Sequence, residues 1–124
     1  MANPNLVSGS SIVGKTNLVR LTDTNATQVV SNAASSSKLF LIDSLTVANV
    51  DGTNAADITL NVFASATNTG TATGLISTVT VPADATLVAI SKDSPLLLTE
   101  DMSVYATASA ANDLHVICSY KELS

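Results

Sequence analysis

The stretch Asp57-Ile58-Thr59-Leu60-Asn61-Val62-Phe63-Ala64 places Ile58, Leu60, Val62 and Ala64 at every second position. Side chains two apart share one face of a β-strand, whereas a helix gathers residues three and four apart. The stretch therefore reads as a strand with its even positions facing a core. Met102, Val104, Ala106 and Ala108 repeat the pattern, with Ser103, Tyr105, Thr107 and Ser109 opposite. So does the last apolar stretch, with Leu114, Val116, Cys118 and Tyr120 inward and His115, Ser119 and Lys121 outward. One buried face per strand is the pattern of antiparallel sheets.

Further strands are expected at 12–21, 27–31, 38–50, 75–81, 86–91 and 95–98. The long 38–50 run carries Asp43-Ser44 at its middle, which predicts a bend or bulge. Turn residues separate the runs: Asp23-Thr24-Asn25, Asp51-Gly52-Thr53-Asn54, Asn68-Thr69-Gly70, Pro82-Ala83-Asp84, Lys92-Asp93-Ser94-Pro95 and Ala111-Asn112-Asp113. The Ser-rich stretch 33–37 reads as a loop. Eight or nine short strands at this spacing predict an all-β, antiparallel sandwich of jelly-roll-like form. The spacing leaves the strand order open. Residues 1–11 are polar, with Pro4 and Gly9, and read as an extended arm before a single domain at 12–124. Leu6, Val7 and Ile12 are the arm's candidate interface anchors.

The bulk properties narrow the function. With 124 residues and 46% hydrophobic content the chain is large enough for one real core. Only 12% of residues are charged, about half the usual share. Ser, Thr, Ala and Asn take their place, which suits a surface packed against neighbours. The net charge of −5, with Lys15, Arg20, Lys38, Lys92 and Lys121 dispersed, gives a nucleic acid no basic patch. The sequence has no Trp, and its four aromatics are Phe40, Phe63, Tyr105 and Tyr120, which speaks against stacking platforms for bases. A single cysteine excludes an intrachain disulfide. The start lacks a basic and apolar leader, and no apolar run approaches the ~20 residues of a membrane helix. The expectation is a chain made and soluble in a cytoplasm, with no membrane partner.

Each catalytic or ligand-binding candidate in the sequence has a plainer structural rival. Gly9-Ser10-Ser11-Ile12-Val13-Gly14-Lys15-Thr16 matches a phosphate-loop pattern letter for letter. That motif works only between a buried strand and a helix whose N-terminus meets the phosphates. Here polar residues precede it and a strand-like stretch, 17–22, follows. Chance is the better account. His115 lies on the opposite strand face from Cys118, so neither serves the other as base or metal co-ligand. Asp51, Asn54 and Asp57 offer oxygens to calcium, but an Asx-type turn with Gly52 at positive φ explains them. Glu100-Asp101 reads as a solvated turn. Asn25-Ala26-Thr27 is a formal glycosylation sequon with no secretory leader to give it use. No catalytic, cofactor or metal residues are assigned, and the chain is read as a non-enzyme without cofactors.

Several segments carry a resemblance: 47–59 (Val-Ala-Asn-Val-Asp-Gly-Thr-Asn-Ala-Ala-Asp-Ile-Thr), Val81-Pro82-Ala83-Asp84-Ala85-Thr86-Leu87-Val88, Lys92-Asp93-Ser94-Pro95-Leu96, Leu98-Thr99-Glu100-Asp101 and Cys118-Ser119-Tyr120-Lys121-Glu122. In these the chain resembles small virion proteins of tailed bacteriophages, especially marine ones. The resemblance implies a β-sandwich assembling on a virion, as a capsid decoration (cement) protein or as a neck, tail or fibre component. The implied partners are the major capsid protein or other virion proteins and copies of the chain itself, with a trimer favoured by analogy. A carbohydrate-binding sandwich is the remaining alternative, for which Tyr105 is the outward aromatic.

Overall fold

The computed structural model describes residues 11–124. Leu6 and Val7 lie outside them, while Ile12 opens the first strand. Nine strands occur among the described residues: β1 (Ile12–Arg20), β2 (Thr27–Asn32), β3 (Leu39–Asn49), β4 (Ala56–Phe63), β5 (Ala72–Val81), β6 (Thr86–Ile90), β7 (Leu96–Leu98), β8 (Met102–Ala108) and β9 (Leu114–Leu123). They form two antiparallel sheets, one in the order β1-β9-β3-β6 with β7 also on β3, the other in the order β2-β8-β4-β5. The chain passes back and forth between the sheets, as β1, β3, β6 and β9 alternate with β2, β4, β5 and β8. That winding is the expected jelly-roll sandwich.

Alternation builds the core as read. Ile58 and Leu60 on β4, Val104 and Ala106 on β8, and Leu114, Val116 and Cys118 on β9 are all fully buried between the sheets. Tyr120 follows them inward and stacks tilted on Phe40, with ring centroids 5.0 Å apart. Strand β3 shows what Asp43 does. Phe40 and Ile42 face inward before it, and Leu45, Val47 and Asn49 face inward after it. The register against β9 slips between Ile42 and Ser44. One extra residue thus converts an even inward phase to an odd one, which is what a β-bulge does. The far edge of β3 is covered in two pieces, by β7 at Phe40–Ile42 and by β6 at Leu45–Ala48.

Four expectations need correction. Ala64 is not part of β4 and is exposed, while its neighbour Phe63 is 8% exposed. Ser103 points away from the core as expected, yet is fully buried. Both follow from the β4–β5 connection folding back over the outer face of the second sheet. Ser103 Oγ donates to the Ser65 carbonyl at 2.7 Å, Ser31 Oγ donates to that of Ala66 at 2.6 Å, and the Ala66 N–H donates to Asp101 at 2.9 Å. Glu100 is only 6% exposed, so the turn it belongs to is not the solvated one expected. Gly52 does not take positive φ; among the described glycines only Gly70 does, at 83°. Gly52 instead faces Asp84, whose carboxylate lies 3.5 Å from where a Cβ would be.

Two buried amides tie the loops to the sandwich. Asn32 Nδ2 donates to the carbonyls of Lys38 and Leu98 at 2.8 and 3.0 Å. Asn49 Nδ2 donates to those of Asn54 and Val81, both at 3.0 Å, while its Oδ1 accepts from the Asp51 N–H at 2.9 Å.

At the end of the β9 inward face, Glu122 continues the row past Tyr120. Its carboxylate sits between Lys15 at 3.0 Å and Lys38 at 3.2 Å. Burial pushes this carboxyl up, but the hydrogen bonds and charges of the two lysines outweigh burial and hold it below its ordinary value. A carboxyl depressed in the folded state contributes stability that is whole above its unfolded value near 4.5, and that is lost as pH falls through the folded one. Glu122→Gln is therefore expected to lose about 1 kcal/mol at neutral pH, because the lysines remain half in water. Urea unfolding at a series of pH values should show parent and variant converging in acid. A difference that persists there would mean that Glu122 acts through packing alone.

Candidate interaction surface

The phosphate-loop look-alike is resolved by its setting. Its described part, 11–16, runs from Ser11 into β1, where Gly14, Lys15 and Thr16 pair with Lys121, Tyr120 and Ser119 in an unbroken ladder. Lys15 is committed to Glu122. An extended strand within a sheet has no row of convergent N–H groups to cradle a phosphate.

The other candidates fall into structural places. Cys118 is fully buried, and burial pushes its thiol up to about 12. His115 lies across β9 from it, half-buried on the outer face. Asp51 makes the expected Asx turn: Oδ1 accepts from the Thr53 N–H at 2.8 Å and Oδ2 from Asn54 Nδ2 at 3.3 Å. The backbone N–H groups of Thr53 and Asn54 hold that carboxyl below its ordinary value. Asp57 is instead engaged by Thr80 Oγ1, at 2.7 Å on the neighbouring strand. Among the described residues, no three His, Cys, Asp or Glu side chains gather in a way that suits a metal. Tyr105 stands edge-on to Phe63, centroids 5.7 Å apart, with its hydroxyl donating to Gln28 at 3.2 Å. Its ring is part of a packed pair, not an open platform for a sugar.

What the fold does assemble is a surface. On the outer face of the β1-β9-β3-β6 sheet, Leu18 lies beside Ile117, Ile117 beside Thr46, and Thr46 beside Val88. The three apolar members of this row are 76%, 43% and 59% exposed. An open depression of about 170 Å³ borders the row at Leu18, Arg20, His115 and Ile117. The next row, Thr16, Ser119 and Ser44, is all hydroxyls, with Thr16 and Ser119 bonded to each other at 3.2 Å. Beyond it come Gly14, Lys121, Leu41 and the half-exposed Leu97. Lys121 is neutralised by Asp43 at 3.2 Å. The face is thus mostly apolar and hydroxyl, with little free charge. Ile117 takes the same outward face of β9 as His115, Ser119 and Lys121. The alignment with Leu18 and Val88 depends on three strand registers, which single-strand periodicity does not contain.

The sheet edges differ. β2 has a register shift at Gln28/Val30, and Asn17 Nδ2 donates to its Val29 carbonyl at 2.9 Å. β5 slips twice against β4 and holds Thr78 at φ 50°, its N–H donating to Thr59 Oγ1 at 3.1 Å. β6 and β7 span five and three residues. β1 is straight, with nine residues in unbroken register on β9.

Neither a family model nor a curated protein matches the chain. Among solved structures, it is similar to a protein of Bacillus endospore appendages, which form a family of disulfide-linked pili. The TM-score is 0.52 with 15% identity, over 98% of this chain and 95% of that one. At this identity the likeness is one of fold.

Proposed function

We propose that the chain is a structural subunit of a multi-copy assembly, and within that class a decoration (cement) protein on the head of a bacteriophage particle. One observation carries the assembly reading: the outer face of the β1-β9-β3-β6 sheet, where Leu18, Ile117 and Val88 stand exposed in one row with little free charge around them. Soluble monomers rarely leave such a row open on a surface so poor in charge. The phage reading is supported by the resemblance of the segments between 47 and 122 to virion proteins. Under it, the major capsid protein is the partner, and the arm anchors Leu6 and Val7, leading into Ile12, clasp a neighbour by strand addition.

The fold shared with an appendage protein favours a second reading, a neck, tail or fibre component. Disulfide linkage does not transfer to this chain, since its one cysteine is buried in β9 with a thiol pushed up to about 12. Any assembly it forms is expected to survive reductant unchanged. Quantitative mass spectrometry and image reconstruction of purified particles test the reading. Hundreds of copies over the head support the decoration role, and a few to dozens at one vertex support the neck or tail. Absence from particles, with the protein recovered as a monomer, would overturn both.

A further inference from the structure

We infer that the edge of β1 left unpaired among the described residues is a two-fold interface, at which β1 of one copy pairs antiparallel with β1 of a second copy, centred on Thr16. The inference rests on the reading of the chain as an assembly subunit and assigns one of its contacts. Ser11 and Ser124 exchange both backbone hydrogen bonds, each at 3.0 Å, and at the far end the Leu21 N–H donates to the Leu114 carbonyl at 3.0 Å. In an antiparallel ladder such exchanging residues alternate with residues whose groups point away. Val13, Lys15, Asn17 and Val19 therefore bond to β9, and Ile12, Gly14, Thr16, Leu18 and Arg20 turn their N–H and C=O groups to the open edge. No bulge interrupts this row. Natural sheets ordinarily blunt such an edge or cover it. The β2 and β5 edges are blunted, as described above, and β1 is not.

A second β1 fits this edge in one register. With Thr16 opposite its own copy, Gly14 meets Leu18, Ile12 meets Arg20, and every outward backbone group of the five residues has a partner. Side chains agree. Leu18 lies over Gly14, where an added Cβ would meet nothing within 4 Å. Val13 faces Val19, and Lys15 faces Asn17, so neither cation of β1 opposes another. Shifting the register by two residues one way sets Lys15 against Lys15, and the other way strands Ile12 without a partner. The pairing joins two sheets into one and runs each apolar row, through Leu18, into the Gly14, Lys121 and Leu41 row of its mate. A trimer of the kind implied by resemblance would have to use another surface.

The experiment measures mass by light scattering on the full chain. The parent is expected at twice 12.6 kDa. Thr16→Pro should be monomeric at the same concentration, with its dissociation constant raised about 100-fold or more, because it removes an N–H that faces outward and takes nothing from the β9 ladder. Its far-UV dichroism should match the parent, and its melting temperature should not vary with concentration, whereas that of the parent should rise with it. Independently of whether that variant folds, Thr16→Cys should oxidise to a cross-linked dimer, while Leu18→Cys, which faces Gly14, should not. A dimer that persists in Thr16→Pro, or Thr16→Cys that fails to cross-link, overturns the pairing. If removing residues 1–10 abolishes a dimer that Thr16→Cys cannot trap, the arm occupies the edge instead. If larger assemblies form unaffected by Thr16→Pro, the assembly reading stands and this contact falls. A parent monomeric at every concentration and absent from particles removes both.

Discussion

Deleting Asp43 is expected to abolish cooperative folding. The deletion leaves β3 with one continuous alternation, so either Phe40 and Ile42 or Leu45 and Val47 must turn out to water. All four are buried, Ile42, Leu45 and Val47 completely. Truncating even one such side chain to alanine costs about 2–5 kcal/mol, against a net stability of about 5–15 kcal/mol for a typical domain. The same deletion moves β3 out of register with β9 and with one of its two outer partners, β6 or β7. Thermal unfolding followed by dichroism should show no sigmoidal transition. The substitution Asp43→Asn keeps the extra residue and should stay within about 1 kcal/mol of the parent, losing only the partly exposed pair with Lys121. A deletion variant that melts cooperatively near the parent would mean that the bulge migrates along β3 and that its position is not specified by Asp43.

The second large effect is expected at Asn49. Replacing it with leucine keeps the branched shape and takes the partner from three backbone groups: the carbonyls of Asn54 and Val81 and the N–H of Asp51. Asn49 is 3% exposed and its bond to the Val81 carbonyl is buried, while those to Asn54 and Asp51 lie nearer the surface. A buried group left without a partner costs about 1–3 kcal/mol and the two nearer the surface cost less, so a loss of about 2–3 kcal/mol is expected. The readout is the midpoint of urea unfolding, together with amide exchange at Asp51, which should speed up well beyond the global change. Unchanged exchange at Asp51 would show that the amide does not hold the loop.

These two sites mark how far the residues themselves disclose the fold. Ile58 and Leu60, Val104 to Ala108, and Leu114 to Tyr120 declare their faces through a period of two, because each strand has one dry side. Asp43-Ser44 announced the bulge because a carboxylate interrupts an apolar run. Periodicity is blind to what lies above the outer face. Ser103 alternates as an outward residue, and only the return of the 64–71 connection buries it. Phe63, on the same face, is buried with its ring edge-on to Tyr105. Glu122 looks like a solvated tail residue, yet Lys15 and Lys38, distant in sequence, meet there. The interaction surface was half legible for the same reason. The outward face of β9 was legible through His115, Ser119 and Lys121, while the alignment of Leu18, Ile117 and Val88 across β1, β9, β3 and β6 is a property of registers between strands remote in the chain.

The 64–71 connection has a wider consequence. It roofs one side of the sandwich with the protein's own backbone, at Ser31, Ser103 and Phe63, whereas the opposite side, with Leu18, Ile117 and Val88, is left bare. The molecule thus has a front and a back. Two copies joined in the manner inferred for β1 keep both bare sides on one surface and both roofed sides on the other, because the two-fold axis stands perpendicular to the joined sheet. Such a pair doubles its apolar surface on a single side, the side through which it would adhere.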